Sequence, residues 1–196
     1  MNREAVVERK TAETDISVYI NLDGNGESEI SSGVGFMDHM LTLLAKHSGV
    51  DLRVRCDGDT EVDDHHSVED IGIALGQALK QALGTKIGIR RYGSSIIPMD
   101  EALVMTAADL SGRGFLGFGL DIPTEKIGTF DTELVEEFFV ALTRSAEMTL
   151  HLKQLAGKNA HHIVECAFKS FAKALREAVE IDPRFAEKLP STKGAL

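Results

Sequence analysis

The sequence has only two cysteines, Cys56 and Cys166, far apart and matching no CxxC pattern. That argues against a disulfide framework or a cysteine zinc site, and core or half-buried thiols are expected. No apolar run is long enough to span a bilayer, and the opening stretch MNREAVVERK is charged where a secretion signal needs an apolar core. A soluble, cytoplasmic protein is the expectation. Basic runs are scarce too, none being longer than Arg90–Arg91 in a chain of net charge −10. The average field therefore repels nucleic acids and anionic membranes, while a small anion held by a few convergent cations remains open. The zinc-protease order HExxH and the ExxH order of di-iron bundles are both missing.

What is present is ordinary globular composition with an internal repeat. Hydrophobic residues make up 43% and charged residues 27% of 196 positions, enough to bury a core. Three elements recur in the same order. A helix over FMDHMLTLLAKHSG is echoed by DTELVEEFFVALTRSAE, each with apolar residues at near-helical spacing. An alternating strand follows: Val50, Leu52 and Val54 share one side of VDLRVRC, as Met148, Leu150 and Leu152 do in MTLHLKQ. Each half then reaches a second helix, with apolar stripes Val68–Ile71–Leu75–Leu79 and Val164–Phe168–Phe171–Leu175. The offsets agree: His65 to His161 is 161 − 65 = 96 positions and Leu52 to Leu150 is 150 − 52 = 98. Before the first helix of each half lies a further stretch of strand character, TDISVYINLDGNGESEI with Ile16, Val18, Ile20 and Leu22 on one face, and EALVMTAADLSGRGFLGFGLDI. The expected fold is α+β: an internally duplicated two-layer sandwich, each half a β-sheet with two helices on one face. The halves are placed at 1–93 and 94–181, with 182–196 as a tail of turn chemistry, all in one compact body.

Both second helices open on the same unusual motif, a His pair followed by a Glu. DDHHSVED carries His65, His66 and Glu69, and AHHIVEC carries His161, His162 and Glu165. Neighbouring helix positions are about 100° apart, so paired imidazoles cannot readily chelate one ion but can each reach a different one. The Glu three and four positions on lies on the same face. A single copy would more often be just a polar first turn, capped by Asp63 and Asp64. Two copies at matching places favour metal, because capping needs an acceptor and not paired imidazoles. Brought together across an interface, two motifs would form a dinuclear centre. The repeat adds a third position on the preceding helix: His39 lies 26 residues before His65, and Glu137 lies 24 before His161. His47 and His151 read as structural or solvated.

Taken in order, GFMDHML, DDHHSVED, PMDEAL, DLSGRGFLGF, TFDTELVEEFF, NAHHIVECAFKSFAKALR and PSTKG cover nearly the whole chain. In these segments the sequence resembles the imidazoleglycerol-phosphate dehydratases of histidine biosynthesis, in their monofunctional form. The resemblance implies an assembly of 24 subunits with active sites at subunit contacts, and two manganese ions per site. It implies His39, His65, His66, Glu69, Glu137, His161, His162 and Glu165 as ligands, with Glu137 standing where many members have His. It also implies Glu13 as the acid/base residue and Arg91, Arg113, Lys169, Ser191 and Lys193 as the phosphate clamp. Arginine forks and lysine point charges suit a phosphate monoester. Gly112 and Gly114 around Arg113 let the backbone approach a ligand or neighbour closely.

The implied chemistry is dehydration through a metal-bound imidazolate, whose electrons expel the neighbouring hydroxyl to give a diazafulvene-like intermediate. Glu13 or a metal-bound water then removes the adjacent proton, and the enol ketonises to imidazole-acetol phosphate. Other readings of the same residues are a metal-storage oligomer, a metal-dependent phosphatase and a structural scaffold. Storage leaves PSTKG, Arg91 and Arg113 without a task, and a phosphatase would release inorganic phosphate instead of a ketone.

Overall fold

A computed structural model describes residues 3–194 and 196. Its first half runs β1 (Glu4–Lys10), β2 (Thr14–Asn21), β3 (Ser28–Ser31), α1 (Gly35–Ser48), β4 (Asp51–Gly58) and α2 (His65–Leu83). The second runs β5 (Tyr92–Met99), β6 (Ala102–Asp109), β7 (Phe115–Gly119), a hairpin of β8 (Lys126–Ile127) and β9 (Phe130–Asp131), α3 (Leu134–Ala146), β10 (Thr149–Ala156) and α4 (Ala160–Val179). The two four-stranded sheets repeat one topology, β1-β2-β4-β3 and β5-β6-β10-β7. In each, the last pair is parallel and the others antiparallel. The duplicated α+β sandwich expected from the repeat is the fold observed, with the β8–β9 hairpin added to the second half only.

Alternation explains the sheets. Ile16, Val18 and Ile20 of β2 and Leu52, Val54 and Cys56 of β4 are buried, while residues between them face outward. Leu150 and Leu152 of β10 repeat this in the second sheet. The helices lie between the two sheets and share one apolar cluster that joins both halves. Within that layer α1 packs on α4 and α2 on α3, each pair from different halves.

Both pairs run side by side in the same direction. His39 meets His161 and Glu165 near the helix starts. Farther along α2, Gly72 faces Phe138 and Ala141, and Gly76 faces Leu142 and Ser145. The β8–β9 hairpin ties the helix starts together: Phe130 stacks on Phe36 at 5.0 Å, and Phe36 meets the His161 ring edge-on at 5.3 Å. All four helices thus begin at one end of the body and finish at the other. No helix is long and apolar enough to cross a membrane among the described residues, and both cysteines are buried free thiols, as expected.

Candidate metal centre and anion site

The motif helices start on different caps. In α4, Asn159 accepts from the His162 N–H at 3.3 Å; in α2, Asp63 accepts from the His65 N–H at 2.8 Å, while Asp64 at the cap position makes no such bond. Within each pair the side chains diverge, as successive positions on a helix must. Ring centroids are 6.4 Å apart at 84° for His161–His162 and 6.3 Å at 78° for His65–His66. The two members of a pair therefore serve different neighbours.

His161 and Glu165, one turn apart on α4, converge with His39 of α1. One Glu165 oxygen lies 3.1 Å from His161 Nε2 and 3.4 Å from His39 Nε2. Ligand atoms of the three lie within 4.8 Å of one another, the one such group among the described residues. Two imidazole nitrogens and a carboxylate oxygen fit a divalent ion such as manganese or zinc. Glu165 is buried, and burial alone would raise its carboxyl pKa. Lys169, one turn on, together with His161 and His39, outweighs that and holds it below the usual carboxylate range. His39 and His161 are still 47% and 42% exposed, so the group lies open on the surface of one chain.

The repeat places Glu137 of α3 and His65 and Glu69 of α2 in the matching positions. Those three are half-buried at the same end of the body but do not close into a comparable group. The second member of each pair turns elsewhere. His66 Nδ1 lies 3.0 and 3.1 Å from the two Asp59 oxygens, with Glu13 3.7 Å from its Nε2. His162 Nδ1 lies 2.7 Å from Glu101. These carboxylates raise the pKa of both imidazoles, outweighing the opposing effect of burial. Glu101, hydrogen-bonded to His162 and to the backbone N–H of Asn159, is lowered to about 2.

The expected phosphate clamp divides. Arg91 grips Asp109 through Nε at 2.7 Å and Nη2 at 3.2 Å, and donates from Nη1 to the Pro190 carbonyl at 2.8 Å. Arg113 approaches the same Asp109 at 3.8 Å, and Ser191 follows Pro190, with the Lys193 N–H donating to its hydroxyl at 3.2 Å. Arg91, Arg113, Ser191 and Lys193 thus gather where the helices finish. The Arg91 N–H donates to the Ala178 carbonyl at the end of α4. Glu165 lies thirteen residues earlier on that helix, about 20 Å away at 1.5 Å per residue. Lys169 stays with the histidines at the other end.

Asp59, Glu101 and Asp109 did not emerge from the sequence reading. A signal for Glu101 existed: it stands immediately before β6 as Glu13 stands before β2, a separation of 101 − 13 = 88 positions that matches the first residues of those strands, Ala102 and Thr14. Asp59 and Asp109 carried none, being loop and strand-end acids in an acidic chain.

Residues 32–175 match the family model for imidazoleglycerol-phosphate dehydratase. An imidazoleglycerol-phosphate dehydratase from Jannaschia sp. (strain CCS1) is 62% identical over 99% of this chain and all of its own length. One from Desulforamulus reducens is 58% identical over the whole of both. Among solved structures, the imidazoleglycerol-phosphate dehydratase of Staphylococcus aureus superposes with a TM-score of 0.84 at 42% identity, over 91% of this chain and 99% of that one. That of Pyrococcus furiosus, in complex with (S)-C348, gives 0.84 at 39% identity over 97% and 100%. On this similarity along its full length, the chain belongs to the imidazoleglycerol-phosphate dehydratase family.

Proposed function

We propose that this protein is a metal-dependent, cytoplasmic lyase of histidine biosynthesis that dehydrates imidazoleglycerol phosphate to imidazole-acetol phosphate. The observation that carries the reading is the convergence of His39, His161 and Glu165 at the helix starts, in a chain of this family. One ion would be held by that group and a second by its repeat, Glu137, His65 and Glu69, with His66 and His162 completing the ligand sets of neighbouring copies. When bound, two manganese ions would supply Lewis acidity toward the substrate's imidazole, favouring its imidazolate form.

The remaining work falls to the chain itself. Arg91, Arg113, Ser191 and Lys193 bind the phosphate, the guanidinium forks supplying paired donors and the acidic chain its few convergent cations. Asp109 holds both arginines in place beforehand. Lys169, beside Glu165, adds a cation at the metal end. Glu13, exposed on the turn before β2 and 3.7 Å from His66 Nε2, removes the proton from the carbon next to the one losing hydroxide. The resulting enol ketonises.

A glycerol-length linker cannot reach across about 20 Å of helix, so clamp and ligands of one chain serve different sites. That separation supports a homo-oligomer, in our reading 24 subunits, with sites shared between copies. The test is metal analysis of purified protein with assay of imidazole-acetol phosphate before and after chelation and manganese restoration. About two manganese ions per chain, with ketone formation lost and regained and no inorganic phosphate released, is the expected result for a two-metal lyase. Stoichiometric metal without ketone would overturn the reading.

A further inference from the structure

The two histidines that turn away from the convergent group, His66 and His162, are each held at Nδ1 by a carboxylate that nothing above assigns to the reaction. Asp59 presents both oxygens to His66 Nδ1, at 3.0 and 3.1 Å. It comes from the loop after β4, and its own N–H donates to the Glu13 carbonyl at 3.1 Å. Glu101 comes from the turn between β5 and β6. Its Oε2 lies 2.7 Å from His162 Nδ1, while its Oε1 accepts from the backbone N–H of Asn159 at 2.9 Å and of Lys158 at 3.3 Å. The carboxylate is thus fixed at both oxygens, one on the loop leading into α4 and one on the imidazole.

An ionised carboxylate can only accept, so the nitrogen within hydrogen-bond distance of it carries the proton; Glu13 at 3.7 Å and Asp100 at 3.9 Å from the Nε2 atoms of His66 and His162 lie beyond that distance. A neutral imidazole protonated at Nδ1 has its lone pair on Nε2. We propose that Asp59 and Glu101 are positioning residues: each fixes one histidine's tautomer and ring direction so that Nε2 is presented as a metal ligand to a neighbouring copy. The inference rests on the metal reading of the His pairs.

The two halves reach this arrangement from different elements. Glu13 and Glu101 occupy the same place in the repeat, directly before β2 and β6. In the second half that glutamate takes Nδ1. In the first, Asp59 takes Nδ1, which leaves Glu13 on the Nε2 side and free of the backbone caps that tie Glu101 down. One repeat position has become a support for a ligand while the other is left available for proton transfer. This divergence accounts for the presence of Glu13 alone as an acid/base candidate in a chain that carries the glutamate twice.

Glu101→Gln discriminates this role from a purely structural one. With two backbone N–H groups competing for its single amide oxygen, the amide caps residues 158 and 159 and turns its NH₂ toward His162. That group donates to Nδ1 and moves the proton to Nε2, where it blocks ligation. Manganese titration of the metal-stripped protein, followed by the electron paramagnetic resonance signal of free Mn²⁺, should show affinity at one class of site weakened about 10–100-fold, with the melting temperature of the stripped protein unchanged. Asp59→Ala should weaken the other class similarly. Wild-type affinity in both variants would overturn the proposal, and so would a fall in melting temperature with affinity retained. If wild-type protein itself binds no stoichiometric manganese, the metal reading fails first, and the two failures are told apart by that control.

Discussion

Glu137 stands on α3 and His65 and Glu69 on α2, and the close approach of these two helices depends on Gly72 and Gly76. A β-carbon at Gly76 would stand 2.6 Å from the Leu142 carbonyl oxygen, 2.7 Å from Ser145 Cβ and 2.9 Å from the Ala146 nitrogen. All three belong to the facing helix or its β-carbon, so no flexible side-chain end can swing aside. In an isolated helix Gly76→Ala would stabilise by about 1 kcal/mol, through lower backbone entropy in the unfolded chain. Here optimal carbon contacts need about 3.5–4.0 Å, so the helices must part by close to 1 Å. Overpacking of this kind costs about 1–3 kcal/mol, and each contact along the opened seam loses about a quarter to a half of its dispersion energy. The expected net loss is about 1–2 kcal/mol, or roughly 2–8 °C in melting temperature for a chain of this size. Manganese bound at the Glu137–His65–Glu69 set should weaken more than that bound at His39–His161–Glu165. Thermal unfolding of the stripped protein with manganese titration checks both. A melting temperature raised by about 2–4 °C, the signature of propensity alone, with unaltered metal affinity would show that the α2–α3 seam has room for a β-carbon at position 76.

Glu13→Gln should retain manganese and substrate while turnover falls by about 10²–10⁴; full turnover with intact binding would remove Glu13 from the proton transfer. Arg91→Ala should raise KM and lower kcat/KM by about 10–100-fold, from loss of charge-assisted bonds of about 1.5–3 kcal/mol; Arg91→Lys should not restore it, since a point charge cannot fork. Asp51 gives a pH test away from the metals. Burial pushes its carboxyl up, but the backbone N–H groups of Asn25, Glu27 and Gly26 outweigh that and set it below its usual value. A depressed folded pKa stabilises above the unfolded value of about 3.9, and that contribution disappears as pH falls through the folded value. Asp51→Asn should therefore cost about 1 kcal/mol at pH 7, discounted for exposure, and progressively less as pH falls below the unfolded carboxyl value; a difference undiminished in acid melts would count against this origin.

How much of this was legible in the sequence follows from where apolar side chains fall. The central strands and all four helices carry buried residues at regular spacing, as Ile16–Val18–Ile20 and Val164–Phe168–Phe171 do, so periodicity finds them. The edge strands β1 and β5 bury little: Val7 is the one fully buried side chain of EAVVERK, and β5 turns Gly93 toward Ala174 of α4. Their pairing is dictated by neighbours, which local pattern does not record. The His pairs stood out because they recur at matching places in the repeat, where helix capping calls for an acceptor and not for paired imidazoles. Asp59, Glu101 and Asp109 did not, because their roles exist only once β-turns and strand ends carry them to His66, His162 and Arg91. The separation of clamp from ligands was also invisible, since it depends on all four helices pointing the same way.

That separation makes the central claim testable by mixing. Glu165→Gln removes a metal ligand and Arg91→Ala weakens the clamp, so with substrate well below KM each variant alone should keep about a tenth of wild-type activity or less. If one site draws its Glu165 and its Arg91 from different copies, oligomers reassembled from equal amounts of the two should recover activity in about one site in four, as random assortment of chains requires. Activity in the mixture equal to the mean of the two separate variants would place both residues in the site of one chain and contradict the account.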